Sequence, residues 1–217
     1  MNSESTKSAI AILGGTFDPV HIGHLRLAID ISEALQVEQI LLMPSYQPVH
    51  RDNPTATANQ RLKMLKLAVA DINEITIDAR ELQRKGPSYT LYSLQELRHE
   101  IGAEKPLFFI LGEDAFSQFD SWHQWQDIIK FTHLLVAARP GDHPKTSQQL
   151  EDFVQQHEYK GEGYPETAAG TVVWMNNTIL EIASSDIRRR IREKKSTRFL
   201  LPANVHHFIQ QQKIYAA

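Results

Sequence analysis

The stretch that most constrains the fold runs from Ile10 to Leu25. An apolar Ile10-Ala11-Ile12-Leu13 is followed by Gly14-Gly15, then Thr16-Phe17-Asp18-Pro19-Val20 and His21-Ile22-Gly23-His24-Leu25. Consecutive apolar residues stopped by paired glycines read as a buried strand, and Asp18-Pro19 marks a turn. Ile22, Leu25, Ala28, Ile29 and Leu35 then recur at helical spacing, which predicts a helix over about 21–35. A strand fed through a tight loop into a helix start gathers backbone N–H groups and the positive end of a helix dipole at one corner, which suits an anion. His21 and His24 fall on one face of the first turn and add imidazole donors. Gly14 and Gly15 are open to two readings, strand-to-helix packing alone or close backbone approach to phosphate, since both use the same property. A zinc site at the histidines has no evident companion ligands, so no metal-ligating residue is assigned.

Further strands are expected at 39–43, 75–77, 107–111, 133–137 and 171–175, and further helices at 59–70, 90–101, 184–192 and 203–213. In the second helix Leu62, Leu65 and Val69 are placed inward; in the third, Leu91, Leu94, Leu97 and Ile101 form a stripe closed by Gly102. Residues 83–89 read as a loop, with Ser88 or Thr90 capping the next helix, and Trp122 and Trp125 are placed together in a short helix. Residues 142–169 are polar and weakly periodic. Apolar strands alternating with helices imply a mainly parallel sheet with helices on both faces, a single Rossmann-like α/β domain over 9–217 behind a flexible tail at 1–8. Ligands of such sheets sit beyond the carboxyl ends of the strands, where Gly14-Gly15, Gly112-Glu113-Asp114 and Arg139-Pro140-Gly141 all fall.

Bulk properties narrow the partners. A net charge of -3 supplies no general drive toward nucleic acid. The chain has no cysteine, which excludes disulfides, thiolate metal sites and a cysteine nucleophile and is compatible with a cytoplasmic setting. Nothing approaches the apolar length of a membrane span. Near the C-terminal end, Ser184-Ser185-Asp186 caps a helix for which packing through Ile187 and Ile191 would be role enough; hydroxyls and N–H groups with Arg188 one turn in also make an anion site. Most of the Arg188-Arg189-Arg190 run is expected to be a wet face.

Gly-Gly-Thr-Phe-Asp-Pro through His-Ile-Gly-His-Leu is neither of the two best-known phosphate loops. It resembles the signature of the HxGH nucleotidyltransferases, most closely the bacterial nicotinate-nucleotide adenylyltransferases. The likeness continues through Pro44 to His50-Arg51, Ser88-Tyr89-Thr90, Phe109 to Asp114 with Phe119, Trp122 and Trp125, Arg139-Pro140-Gly141, and Ile182 to Arg188. The resemblance implies transfer of AMP from ATP, with Mg²⁺, to nicotinate mononucleotide, giving nicotinate adenine dinucleotide and pyrophosphate. It places Gly14, Gly15, Thr16, Phe17, His21, His24, Ser184, Ser185 and Arg188 around ATP, with His21, His24 and Arg188 catalytic. It places Arg51, Thr90, Asp114, Trp122 and His123 at the mononucleotide. Departures are Arg51 for the family's Lys, Tyr92 for its Asp and Ala183 for its first Ser. Nicotinamide-mononucleotide and phosphopantetheine adenylyltransferases are the nearest alternatives, and a nucleotide-binding regulatory module is the alternative from another class.

Overall fold

A computed structural model describes residues 9–48, 53–138, 145–176, 178 and 180–216. In chain order the elements are β1 (Ile10–Gly15), α1 (Ile22–Leu35), β2 (Gln39–Pro44), β3 (Gln47–Pro48), α2 (Ala58–Ala68), β4 (Ile75–Ile77), α3 (Arg80–Arg84), β5 (Pro87–Ser88) and α4 (Thr90–Ile101). They continue with β6 (Leu107–Gly112), α5 (Glu113–Phe116), a 3-10 turn (Phe119–Ser121), α6 (Trp125–Ile128), β7 (His133–Ala138), α7 (Gln148–His157), β8 (Val172–Asn176), α8 (Ser184–Arg192) and α9 (Ala203–Gln211). The six-stranded sheet has the order β4-β2-β1-β6-β7-β8, and β3 with β5 forms a separate two-stranded ladder. β1 pairs with β6, β6 with β7 and β7 with β8, all parallel, with Ile12 opposite Phe109 and Ile110 opposite Leu135. Leu107 to Leu111 are buried at every position rather than at alternate ones, so both faces of this strand are covered. The fold is Rossmann-like α/β.

The residues form two compact units, one drawn from Met1–Leu13, Ile31–Ile40 and Tyr89–Asn177, the other from Gly14–Asp30, Leu41–Ser88 and Thr178–Ala217. In the first, α4 buries Leu91, Leu94 and Leu97 and packs on α6. An aromatic cluster forms beside it, in which Trp125 meets Phe153 with ring centroids 4.8 Å apart and Phe119 at 5.7 Å. Arg98 donates to the carbonyl oxygens of Lys105, Phe131 and Ala168, tying three loop segments together. In the second unit α2 packs on α9. Thr57 and Gln60 close a capping box at the start of α2.

Several expectations are corrected. The inner face of α2 carries Arg61, Met64, Leu65 and Ala68, while Leu62 and Val69 are only half-buried. Residues 83–89 are not simply a loop, since α3 ends at Arg84 and β5 occupies Pro87–Ser88. Neither Ser88 nor Thr90 caps α4; Tyr89 is the cap residue without a side-chain bond, and Ser88 Oγ accepts from the Tyr46 N–H at 2.9 Å. Trp122 and Trp125 do not share a helix, because Trp122 ends the 3-10 turn and Trp125 begins α6. Within 142–169 stands α7, its start capped by Ser147 accepting from Leu150 N–H at 3.2 Å. The tail at 1–8, the loop at 139–141, and His50-Arg51 lie outside the described residues.

Candidate active site

All of the residues assigned to ATP fall in the second unit. β1 ends in Gly14-Gly15, both half-buried, and a Cβ on Gly15 would meet the Phe17 ring at 3.2 Å. Phe17 itself is buried, takes a φ of 49°, and sets its ring edge-on to His24 at 5.0 Å between centroids. The N–H of Ile22, an orphan donor at the start of α1, is satisfied by the Leu200 carbonyl at 3.0 Å. His21 immediately precedes that helix.

The two imidazoles are stacked, with centroids 3.6 Å apart and planes 24° from parallel. The His21 backbone N–H donates to His24 Nδ1 at 3.2 Å. That nitrogen is therefore an acceptor, which leaves the proton of a neutral His24 ring on Nε2. His21 is 5% exposed, and its Nδ1 is buried with no hydrogen-bond partner among the described residues. Burial pushes its pKa down to about 4, so it is a neutral ring at pH 7. The glycine between them has a steric reason: a Cβ on Gly23 would sit 3.1 Å from His21 Nδ1.

The late serine motif joins this corner. Ser184 Oγ donates to the Pro19 carbonyl at 2.9 Å, and Arg188 Nη1 donates to the Asp18 carbonyl at 2.6 Å. The capping expectation is corrected here: Ala183 is the cap residue, without a side-chain bond, and Ser184 opens α8 as its first residue. Ser185 is exposed, and Ile191 is half-buried where Ile187 is fully buried. Arg189 and Arg190 pair with Asp186 along the outer face.

Three residues that sequence reasoning passed over hold the corner from behind. Asp18, 4% exposed, accepts from the Thr55 N–H at 2.7 Å, the Ala56 N–H at 3.0 Å and the Tyr215 hydroxyl at 2.6 Å. Arg61, 1% exposed, donates to the carbonyl oxygens of Thr16, Ser45 and Tyr46. A charged residue in phase with Met64, Leu65 and Ala68 was the available signal for Arg61. Nothing comparable in sequence marks Tyr215.

The residues assigned to the mononucleotide, Arg51 apart, belong to the first unit. Thr90 opens α4, exposed Asp114 lies in the first turn of α5, and Trp122 packs edge-on against Phe109 at 6.2 Å between centroids. His123 is hydrogen-bonded through Nε2 to the Tyr92 hydroxyl at 3.1 Å and lies over Tyr89 with centroids 4.4 Å apart.

A family model described as cytidylyltransferase-like matches residues 12–190, from the first strand through the serine helix. A Cellvibrio japonicus protein named probable nicotinate-nucleotide adenylyltransferase is 42% identical over 96% of this chain and 99% of its own. The chain belongs to this family of adenylyltransferases. A Marinomonas protein of the same name is 38% identical over 96% of this chain and 95% of its own. In fold, the chain is similar to the Plasmodium falciparum nicotinic acid mononucleotide adenylyltransferase complexed with NaAD. The TM-score is 0.70 at 17% identity, covering 96% of this chain and 97% of that one. Membership makes it a nucleotidyltransferase. No helix among the described residues is long and apolar enough to cross a membrane.

Proposed function

We infer that this chain transfers AMP from ATP to nicotinate mononucleotide, releasing pyrophosphate and giving nicotinate adenine dinucleotide for NAD biosynthesis. The observation that carries the reading is the joining of Gly14-Gly15 and the stacked histidines to Ser184 and Arg188 in one unit. A phosphate oxygen of the mononucleotide attacks the α-phosphorus of ATP; the new P–O bond forms as the bond to the leaving pyrophosphate breaks. The nucleophile is already ionised and the leaving group is good, so the protein has to position and to stabilise charge rather than to supply a nucleophile or strong base.

In this reading Gly14, Gly15, Thr16 and Phe17 supply backbone against the phosphates, and His24 donates from Nε2 to the charge that develops in the transition state. His21, neutral and buried, offers a ring proton without the repulsion of a second cation. Arg188, with Ser184 and Ser185 at the start of α8, receives the pyrophosphate. Thr90, Asp114, Trp122 and His123, with Arg51, take the mononucleotide. Mg²⁺ neutralises ATP oxygens when bound. The setting we propose is the cytoplasm.

The test is a coupled pyrophosphate assay with ATP and Mg²⁺, offering nicotinate mononucleotide, nicotinamide mononucleotide and phosphopantetheine in turn. Preferential turnover of the first is expected. Preference for either of the others would replace this substrate, and ATP binding without pyrophosphate release would make the chain a nucleotide-binding module.

A further inference from the structure

We propose that Arg61 is the positioning residue of the nucleotide loop, holding the Thr16–Phe17 peptide in the orientation that serves ATP. This rests on the ATP reading of the corner. Arg61 projects from the buried face of α2, and its Nη1 donates both to the Thr16 carbonyl and to the Ser45 carbonyl, each at 2.7 Å, while Nη2 donates to the Tyr46 carbonyl at 3.2 Å. One guanidinium thus ties the loop after β1 to the loop after β2, alongside the Ser45 N–H that donates to the Gly15 carbonyl at 2.9 Å. Carbonyl and N–H point in opposite directions across a trans peptide. Drawing the Thr16 carbonyl inward therefore directs the Phe17 N–H to the opposite side of the loop. The left-handed backbone at Phe17 is a conformation that a side chain seldom adopts unaided, so it needs such restraint.

The chemistry suits a guanidinium better than other side chains. Three carbonyl oxygens in two loops call for a planar fork of several donors, whereas an ammonium is a compact point charge. An arginine 1% exposed is otherwise costly to bury, and Asp18 lies near enough to offset part of that cost. Asp18 is in turn held by Thr55, Ala56 and Tyr215. Packing alone asks for none of this, since an apolar side chain of similar length would fill the same face of α2.

The experiment compares Arg61→Met and Arg61→Lys with the parent protein, measuring thermal unfolding, ATP binding by calorimetry, and KM for each substrate. The expected result is a folded Arg61→Met protein with ATP affinity and KM for ATP worse by about 10- to 100-fold, the range for losing charged hydrogen bonds. KM for nicotinate mononucleotide should stay within about twofold, and Arg61→Lys should recover part of the loss. Folded variants that bind ATP like the parent would overturn the proposal. So would a uniform worsening of both KM values in step with lowered stability, or a failure of both variants to fold, because each makes Arg61 a residue of the fold alone. A parent protein that binds no ATP would instead bring down the reading of the corner, and this proposal with it.

Discussion

The His21 backbone N–H donates to Nδ1 of His24 while the two rings stack 3.6 Å apart, so one histidine sets the tautomer of the other. The contact leaves His24 Nε2 as the protonated nitrogen in the neutral ring. Replacing His24 by Ala should then cost about 2.7–4 kcal/mol of transition-state stabilisation, comparable to losing one oxyanion donor, or roughly 100- to 1,000-fold in kcat. Steady-state pyrophosphate release measures it, and an unchanged kcat would remove His24 from the chemistry.

Burial of His21 has a consequence for stability. Its folded pKa of about 4 lies below the ordinary value of 6.5. As pH falls through 6.5 the unfolded chain takes up a proton that the folded chain refuses, so stability falls with pH down to about 4 and then levels. The difference amounts to about 3 kcal/mol across that window, and none of it is felt above neutral pH. Burial shifts His133 in the same direction, so the whole protein keeps some slope without His21. Urea unfolding between the two limits should show a shallower pH slope for His21→Gln than for the parent; equal slopes would mean that His21 protonates freely in the folded state.

Gly23 separates a local gain from a functional loss. Alanine favours a helix over glycine by about 1 kcal/mol. Yet a Cβ at this position would lie 3.1 Å from His21 Nδ1 and 3.2 Å from its Cε1, so the ring must move. Gly23→Ala should keep its melting temperature near that of the parent while kcat/KM falls by about 10-fold, because a ring displaced by a few tenths of an ångström loses less than the ~100-fold of a 1 Å misplacement. Melting and turnover falling together would point to general unfolding instead.

These contrasts show what can be seen in the chain before its structure. Leu107 to Leu111 and Leu134 to Ala137 announce themselves because strands covered on both faces are uninterrupted apolar runs. The Gly14-Gly15 corner and the serine helix were readable for a different reason, since each concentrates its chemistry in a few adjacent residues. α7 was hidden because only Leu150 and Phe153 are buried along it. Arg61, Asp18 and Tyr215 were missed because a buried polar network is recognised by its partners, and those partners lie 37 to 197 positions from Asp18. The exchange of Leu62 for Arg61 on the inner face is one step in phase, which apolar periodicity alone does not resolve.

Tyr215 closes that network and can be tested by one atom. Its hydroxyl is buried and donates to Asp18 Oδ1 at 2.6 Å, and burial first, then the Asp18 bond and charge, pushes its pKa far above the ordinary tyrosine range. Tyr215→Phe removes a hydrogen bond to a charged group and should cost about 1.5–3 kcal/mol in denaturant unfolding. A loss below about 0.5 kcal/mol would mean that the Thr55 and Ala56 N–H groups suffice for Asp18.

Tyr92 stands where the resemblance leads one to expect an aspartate, and its role can be tested apart from that of the corner proposed for ATP. The hydroxyl is bonded to His123 Nε2 at 3.1 Å, while the Tyr89 ring covers the imidazole at 4.4 Å. A histidine held at one nitrogen and on one face has a fixed orientation. Tyr92→Phe keeps the ring packing against Tyr89 and deletes only the hydroxyl. The expected outcome is a rise in KM for nicotinate mononucleotide of about 3- to 10-fold, the worth of one ordinary hydrogen bond, with KM for ATP unchanged. Tyr92→Asp, which restores the family's residue but not the bond in the same geometry, should not recover the parent value. If Tyr92→Phe leaves KM for the mononucleotide where it was, His123 does not depend on Tyr92 for its placement, and the substitution of tyrosine for aspartate is a surface exchange at a side chain already 40% exposed.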